Sequence, residues 1–199
     1  MKYLEILKTV DKISKQLEVS YCLIGGHAAS LYRAQERFTK DIDFALMAET
    51  PAISVQKAEE LISRLGLQPL AGFIPRSSHE PDRKNICMVS SKPQGAESRG
   101  IIDILLPELP WISDAIRRSQ YNLIKLGFAD IPVITPEDLI IAKCYALRNA
   151  PDRFQDLDDL KEIFNHQKDL DLEYLEEKLL KHALSIPGII TNAPRPNKR

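Results

Sequence analysis

The stretch that most restricts the fold runs from residue 21 to residue 47, where two apolar segments flank a glycine pair and a polar connection. The first segment, "YCLI", is typical of a buried strand and ends at Gly25 and Gly26. The following "HAASLYRA" has the spacing of a helix, and "DIDFALM" predicts a second strand. Strands and helices that alternate in this way predict an α/β or α+β fold.

The rest of the chain divides into a mixed part and a helical part. The pattern predicts helices at 1–20, 51–66, 111–120, 135–149, 152–166 and 171–184, strands at 67–75, 85–91 and 101–107, and a hairpin at 121–134. Polar connectors are expected at 76–84 and 91–100. We therefore expect a core at 1–134, a helical C-terminal region at 135–190 packed on it, and a flexible basic tail at 191–199.

Composition excludes several classes of protein. The 199 residues are 44% hydrophobic and 28% charged, and no apolar run approaches the roughly 18 residues of a membrane span. The N-terminal helix carries charges throughout, unlike a signal peptide, so we expect a cytoplasmic protein with no membrane partner. Three dispersed cysteines do not suggest a disulfide framework and are expected to be small core residues. The net charge of −1 provides no overall attraction to nucleic acid.

Two aspartates stand at the start of the second strand. If the strand includes both, Asp41 and Asp43 point to one face, about 6.6 Å apart, while Ile42 and Phe44 face the core. Like charges this close repel, and a hard divalent cation with oxygen ligands relieves the repulsion. Two solvent-exposed aspartates are the alternative interpretation.

A third carboxylate, Asp103, lies inside the apolar segment "GIIDILLP". A carboxylate buried in such a strand without a partner costs several kcal/mol. A metal ion shared with Asp41 and Asp43 would satisfy it, and so would an arginine or an edge strand open to water. The glycine pair favours the metal, because a tight turn before a helix lets phosphate approach backbone N–H groups.

Other polar residues are candidates for contacts with a nucleotide. Arg37 and Thr39 share the face of the aspartates if the strand begins early enough, and Arg37 then suits a phosphate or the acceptor, although surface decoration is equally consistent. Lys143 falls in the middle of the apolar face of its helix, from which it either reaches the surface or approaches phosphates. Asp156 lies inside the apolar face of the next helix, so a simple pair with Lys143 is the alternative to a catalytic role.

The same helical wheel places two further aspartates less favourably. Asp159 falls at the edge of the apolar face and Asp158 points away from it. We therefore leave the participation of Asp159 open.

These motifs resemble a known family. "IGGHAASLYRAQERFTKDIDFAL" and "GIIDILLP" resemble the nucleotidyltransferase superfamily that includes DNA polymerase beta. "RFTKDID" and "TPEDLIIAKCYALRNAPDRFQDLDDL" are similar to the AbiEii-type bacterial nucleotidyltransferases, many of them toxins of toxin–antitoxin pairs. The resemblance implies an α+β fold, with a mixed sheet flanked by helices and a helical C-terminal region. It also implies active-site roles for Lys143 and Asp156.

The expected function is transfer of a nucleoside monophosphate from an NTP, such as ATP, to a hydroxyl group, with release of pyrophosphate. Asp41, Asp43 and Asp103 would hold Mg²⁺ or Mn²⁺, and Gly25 and Gly26 would cradle the phosphates. The acceptor would be a tRNA end, a protein side chain or a small molecule such as an antibiotic, and a cognate antitoxin is expected from the resemblance alone. The alternative from another class is a catalytically silent module that binds nucleotide or a partner.

Overall fold

The computed structural model of the chain describes residues 3–35, 38–70, 86–93 and 102–188. The connector predicted at 76–84, residues 94–100 of the connector predicted at 91–100, the tail at 191–199 and Arg37 lie outside these residues. The start of the second connector was predicted wrongly, because Ser91 and Lys92 belong to a strand. Within the described ranges, no helix combines the length and the apolar character that crossing a bilayer requires.

Five strands form one mixed sheet. They are β1 (Ser20–Ile24), β2 (Ile42–Met47), β3 (Gln68–Leu70), β4 (Met88–Lys92) and β5 (Ile102–Leu105), in the spatial order β1-β2-β5-β4-β3. β2 and β5 are parallel neighbours, and the other three pairs are antiparallel. The strand with Asp103 is therefore central in the sheet, which contradicts the edge-strand alternative for this carboxylate.

Seven helices of the described chain surround the sheet. They are α1 (Tyr3–Gln16), α2 (Gly25–Ser30), α3 (Pro51–Arg64), α4 (Ile112–Ser119), α5 (Pro136–Asn149), α6 (Phe154–His166) and α7 (Leu172–Lys181). α2 packs against β1, β2 and α5, whereas α3 packs against β2, β3 and β4. The buried side chains of these elements form one hydrophobic core. This architecture confirms the predicted α+β fold with its mixed sheet and helical C-terminal region.

Local sequence signals explain where two of the helices begin. Thr50 and Thr135 each precede a proline, and each threonine side chain accepts a hydrogen bond from a backbone N–H in the first turn of α3 or α5. The carboxylate of Asp138 accepts a hydrogen bond from the Thr135 hydroxyl at 3.0 Å. It also accepts from Tyr174 of α7 at 2.7 Å and pairs with Arg118 of α4. Asp138 thus joins three helices as well as contributing to the cap.

The predicted hairpin is present as β6 (Leu123–Leu126) and β7 (Ala129–Pro132), which form a separate two-stranded sheet. Leu23 of β1 makes an isolated parallel bridge with Val133, just after β7. This bridge attaches the hairpin to the outer side of β1. The three cysteines are buried, as predicted for small core residues.

The bounds of α2 differ from the prediction. Helix α2 begins at Gly25 itself and ends at Ser30, whereas the sequence predicted a glycine turn followed by a helix at 27–34. Gly25 has φ +66, which lies in the left-handed region. The backbone therefore changes direction within the first residue of the helix and needs no separate turn.

Candidate active site

Two carboxylates meet in the centre of the sheet. In the parallel pairing of β2 with β5, Asp43 is the direct partner of Asp103. Neighbouring strands are about 4.8 Å apart, and paired residues project to the same face. The strand neighbours Ile42 and Phe44 are buried on the opposite face, as the alternation predicted. The fold thus brings together two acidic residues that are separated by 60 positions in the sequence.

The environment makes the charge on Asp43 unfavourable. Burial, and then the negative charges of Asp103 and Asp41, raise the pKa of Asp43 from 3.8 to about 7. A hydrogen bond from the Gly26 N–H and the positive charge of Lys143 act in the opposite direction. Carboxylates arranged in this way attract a cation.

Gly25 packs directly against Asp43. A Cβ atom built on Gly25 would lie 1.9 Å from Oδ2 and 2.6 Å from Cγ of Asp43, so no other residue fits without moving the carboxylate. The next residue, Gly26, donates its N–H to the same carboxylate. The glycine pair therefore sets the position of the Asp43 side chain.

The Gly25→Ala substitution is expected to affect both stability and activity. The left-handed backbone alone costs an alanine about 1–2 kcal/mol, and the overlap with Asp43 adds to this. If the chain catalyses the nucleotide transfer expected from its motifs, this activity should fall by about a hundredfold, because a displaced Asp43 loses its alignment with Asp103. Gly66 is the matched control, since its φ is +76 and a Cβ there meets nothing within 4 Å. Gly66→Ala should lose stability in urea unfolding but retain activity, and equal loss of activity in both variants would contradict this role of Gly25.

Asp41 occupies a different position from the one predicted. β2 begins at Ile42, so Asp41 precedes the strand and is exposed, although its charge still acts on Asp43. The condition stated for Thr39, that the strand begins early enough to include it, is therefore not met. The hydroxyl of Thr39 donates to the Asp41 carbonyl oxygen at 3.2 Å. Arg37 lies outside the described residues.

Lys143 lies on the helical side of the site, between the carboxylates of Asp156 and Asp159; these three residues form the Lys143 cage. It is 4% exposed and therefore does not reach the surface. Its ammonium group donates to Asp156 Oδ1 at 2.8 Å and to Asp159 Oδ2 at 2.6 Å. Burial raises the pKa of Asp156, but Lys143 and Arg153 outweigh it and hold this pKa below its ordinary value. Lys143 thus pairs with Asp156, which was one of the two interpretations from the sequence, and it also pairs with Asp159.

Two further residues belong to this cluster: Asp159, whose participation was left open, and Arg33. Asp159 is 0% exposed, although the helical wheel placed it at the edge of the apolar face. Arg33 was not identified, yet it pairs with both Asp158 and Asp159. No local signal marks Arg33, because its partners lie 125 and 126 residues further along the chain.

The side chains present suit a divalent cation of the magnesium type. Among the described residues, no group of three or more His, Cys, Asp or Glu side chains is assembled closely enough to hold a metal ion. Mg²⁺, however, usually keeps several waters and binds proteins through one or two carboxylates together with substrate phosphates. The mutual repulsion of Asp43 and Asp103 and the oxygen chemistry of both groups fit this kind of binding.

A cavity of about 360 Å³ lies elsewhere, between α5, α6 and the segment that follows α7. Its described lining includes Cys144, Leu157 and Leu184 and contains no carboxylate. It therefore does not include Asp43, Asp103 or the cage around Lys143.

Solved structures with the same fold support this architecture. The antibiotic-resistance factor ANT(2'')-Ia matches with 14% identity and a TM-score of 0.56, covering 92% of this chain and 93% of that one. ANT(2'')-Ia in complex with adenylyl-2''-tobramycin matches with 13% identity and a TM-score of 0.57, covering 90% and 95%. At this level of identity the similarity shows the fold alone.

Comparison at the level of sequence is more specific. None of the curated proteins compared with the chain matches it. One family, described as "Nucleotidyl transferase AbiEii toxin, Type IV TA system", matches over residues 15–197. This range includes the glycine pair, Asp43, Asp103 and the cage around Lys143. The chain therefore belongs to the AbiEii nucleotidyl transferase family.

Proposed function

We propose that the protein transfers a nucleoside monophosphate from an NTP to a hydroxyl group of an acceptor and releases pyrophosphate. The acceptor oxygen attacks the α-phosphorus, and the bond from this phosphorus to the β-phosphate oxygen breaks. The observation that carries the proposal is the register pairing of Asp43 with Asp103 beside Gly25, in a chain of this family.

The two central carboxylates have complementary roles in this proposal. Asp43 and Asp103 would hold Mg²⁺ or Mn²⁺, with Asp41 close enough to add its charge. The bound ion would neutralise charge on the NTP phosphates. Asp103 also accepts the proton of the attacking hydroxyl. Gly25 and the N–H of Gly26 keep Asp43 in place.

Lys143 contributes a positive charge from the helical side. The positive charge of Lys143 acts on Asp43. Lys143 lies on α5, which packs against α2, so the same charge would also act on phosphates bound beside Asp43. Asp156 holds the Lys143 ammonium group and is therefore a positioning residue. Thr39 and Arg37 remain proposed contacts for phosphate or acceptor.

The acceptor is to be sought among three classes. The family description suggests a toxin, whose acceptor would be a tRNA or a protein and whose activity a cognate antitoxin would restrain. The tobramycin adduct of ANT(2'')-Ia, which shares the fold, makes an aminoglycoside the small molecule to include. We propose the toxin role first, because the family match covers most of the chain.

Labelled nucleotides test the proposal. The protein is incubated with Mg²⁺ and each NTP labelled with ³²P at the α-position, together with cell extract, purified tRNA or an aminoglycoside. Label in a product formed by the wild type but not by Asp43→Asn supports transfer and identifies the acceptor. Weak NTP binding of equal strength in both proteins, with no labelled product, supports the catalytically silent module instead.

A further inference from the structure

Arg33 lies in the connection between α2 and β2, and its side chain is only 8% exposed. The guanidinium group spans two consecutive carboxylates of α6: Nη1 donates to Asp159, and Nη2 donates to Asp158 at 2.7 Å. The planar fork of an arginine fixes both the direction and the spacing of such contacts. These two contacts therefore tie the α2–β2 connection, which precedes Asp43, to α6. Two aspartates of α6 accept hydrogen bonds from Lys143.

Asp159 transmits this contact to Lys143. Its Oδ1 accepts from Arg33, and its Oδ2 accepts from the Lys143 ammonium group at 2.6 Å. Asp159 is fully buried, so water does not weaken its interaction with either cation. Arg33 neutralises part of the negative charge of Asp159, and this carboxylate therefore attracts the Lys143 ammonium group less strongly.

The charges in the cage show why Arg33 matters for a polyanionic substrate. The ion pairs around Lys143 join three cations to three carboxylates, so their charges balance: Lys143, Arg33 and Arg153 with Asp156, Asp158 and Asp159. Without Arg33, one negative charge would be in excess. It would lie near Asp43, on which the charge of Lys143 acts, and would repel a triphosphate.

The guanidinium group of Arg33 is not fully satisfied by these contacts. Its Nε–H is buried and has no acceptor among the described residues. The contacts of Arg33 are therefore concentrated on the two α6 carboxylates that its Nη atoms reach.

We propose that Arg33 is a positioning residue that holds Asp159 and so keeps the charge of Lys143 available to the NTP phosphates. This inference rests on the proposed nucleotidyl transfer and adds a residue to its substrate-binding side. Arg33 acts through Asp159 and Lys143 and takes no part in bond making.

Three variants test this role. Arg33→Met removes the charge and keeps a long side chain, and Arg33→Lys restores one hydrogen-bonding cation. Arg64→Met is the control, because Arg64 also pairs with a carboxylate, that of Glu60, but lies on α3. Circular dichroism establishes that each variant is folded before the other measurements.

The first measurement needs no nucleotide. A buried, hydrogen-bonded ammonium group gives its own ¹H–¹⁵N signal, which is assigned to Lys143 by its loss in Lys143→Arg. We expect this signal to shift in Arg33→Met, to return towards its wild-type position in Arg33→Lys, and to stay unchanged in Arg64→Met. An unchanged signal in folded Arg33→Met would overturn the proposal.

The second measurement uses steady-state kinetics of transfer. We expect Arg33→Met to raise KM for the NTP by about tenfold while kcat changes less, and Arg33→Lys to recover part of the loss. A wild-type KM in Arg33→Met would overturn the role, and so would a loss confined to kcat. If the wild type transfers no nucleotide, the proposed function fails, but the ammonium signal still decides whether Arg33 positions Lys143.

Discussion

Replacement of Asp43 by asparagine (Asp43→Asn) is expected to lower the rate of nucleotide transfer by about a thousandfold or more. The change removes one of the two central carboxylates that would bind the divalent ion, and charge stabilisation of several kcal/mol corresponds to this factor. The asparagine has nearly the same shape and still accepts the hydrogen bond from the Gly26 N–H. The loss should therefore reflect the missing charge and not a displaced backbone.

The same substitution is expected to stabilise the protein in the absence of divalent ions. Because folding raises the pKa of Asp43 from 3.8 to about 7, the wild type loses stability as the pH rises between these values. Asparagine does not ionise, so its advantage should grow over this range and remain constant above pH 7, reaching a few kcal/mol.

Urea unfolding in EDTA at pH 4.5 and pH 8 measures this advantage. Asp130→Asn, which removes an exposed charge on the β6–β7 hairpin, is the matched control and should alter neither activity nor stability appreciably. If Asp43→Asn remained active, Asp43 would not be needed to bind the divalent ion. If it were less stable than the wild type at pH 8, the charge of Asp43 would not be unfavourable in the folded protein.

Replacement of Lys143 by methionine (Lys143→Met) should produce the largest loss of stability. It leaves the buried carboxylates of Asp156 and Asp159 without their shared cation, and such a loss typically costs about 3–5 kcal/mol. Neutralising Asp159 in addition (Lys143→Met with Asp159→Asn) should restore part of it, because one of the two carboxylates that shared Lys143 then carries no charge. Transfer activity should remain low in both variants.

Urea unfolding of the wild type, both single variants and the double variant completes a mutant cycle. Lys15→Met is the control, since Lys15 pairs with Asp11 at 2.7 Å but is largely exposed, and it should cost less than about 1 kcal/mol. A comparable loss in Lys15→Met and Lys143→Met would show that the cage does not depend on its buried lysine.

The regular elements were predictable because each depends on a short stretch of sequence. Apolar spacing located most strands and helices, and in the sequence a threonine followed by a proline marks the start of both α3 and α5. The position of Asp41 was harder to predict, because alternation holds only inside a strand and β2 begins one residue after Asp41. The start of α2 was missed for a related reason, since left-handed Gly25 both turns the chain and opens the helix.

The arrangement of the site depended on tertiary structure. The sequence indicated that Asp43 and Asp103 belong to strands, but only the sheet order makes these strands parallel neighbours with both aspartates in register. The helical wheel identified Lys143 and Asp156 as unusual. It left Asp159 open, because this residue is held by ion pairs with Arg33 and Lys143, which a helical wheel does not show.

The most direct measurement compares two labels in otherwise identical reactions of the wild type with NTP, Mg²⁺ and acceptor. Nucleotidyl transfer predicts that ³²P from the α-position enters the acceptor, while ³²P from the γ-position is recovered in pyrophosphate, both above the background of Asp43→Asn. Entry of the γ-label into the acceptor, or an α-labelled product formed equally well by Asp43→Asn, would contradict it.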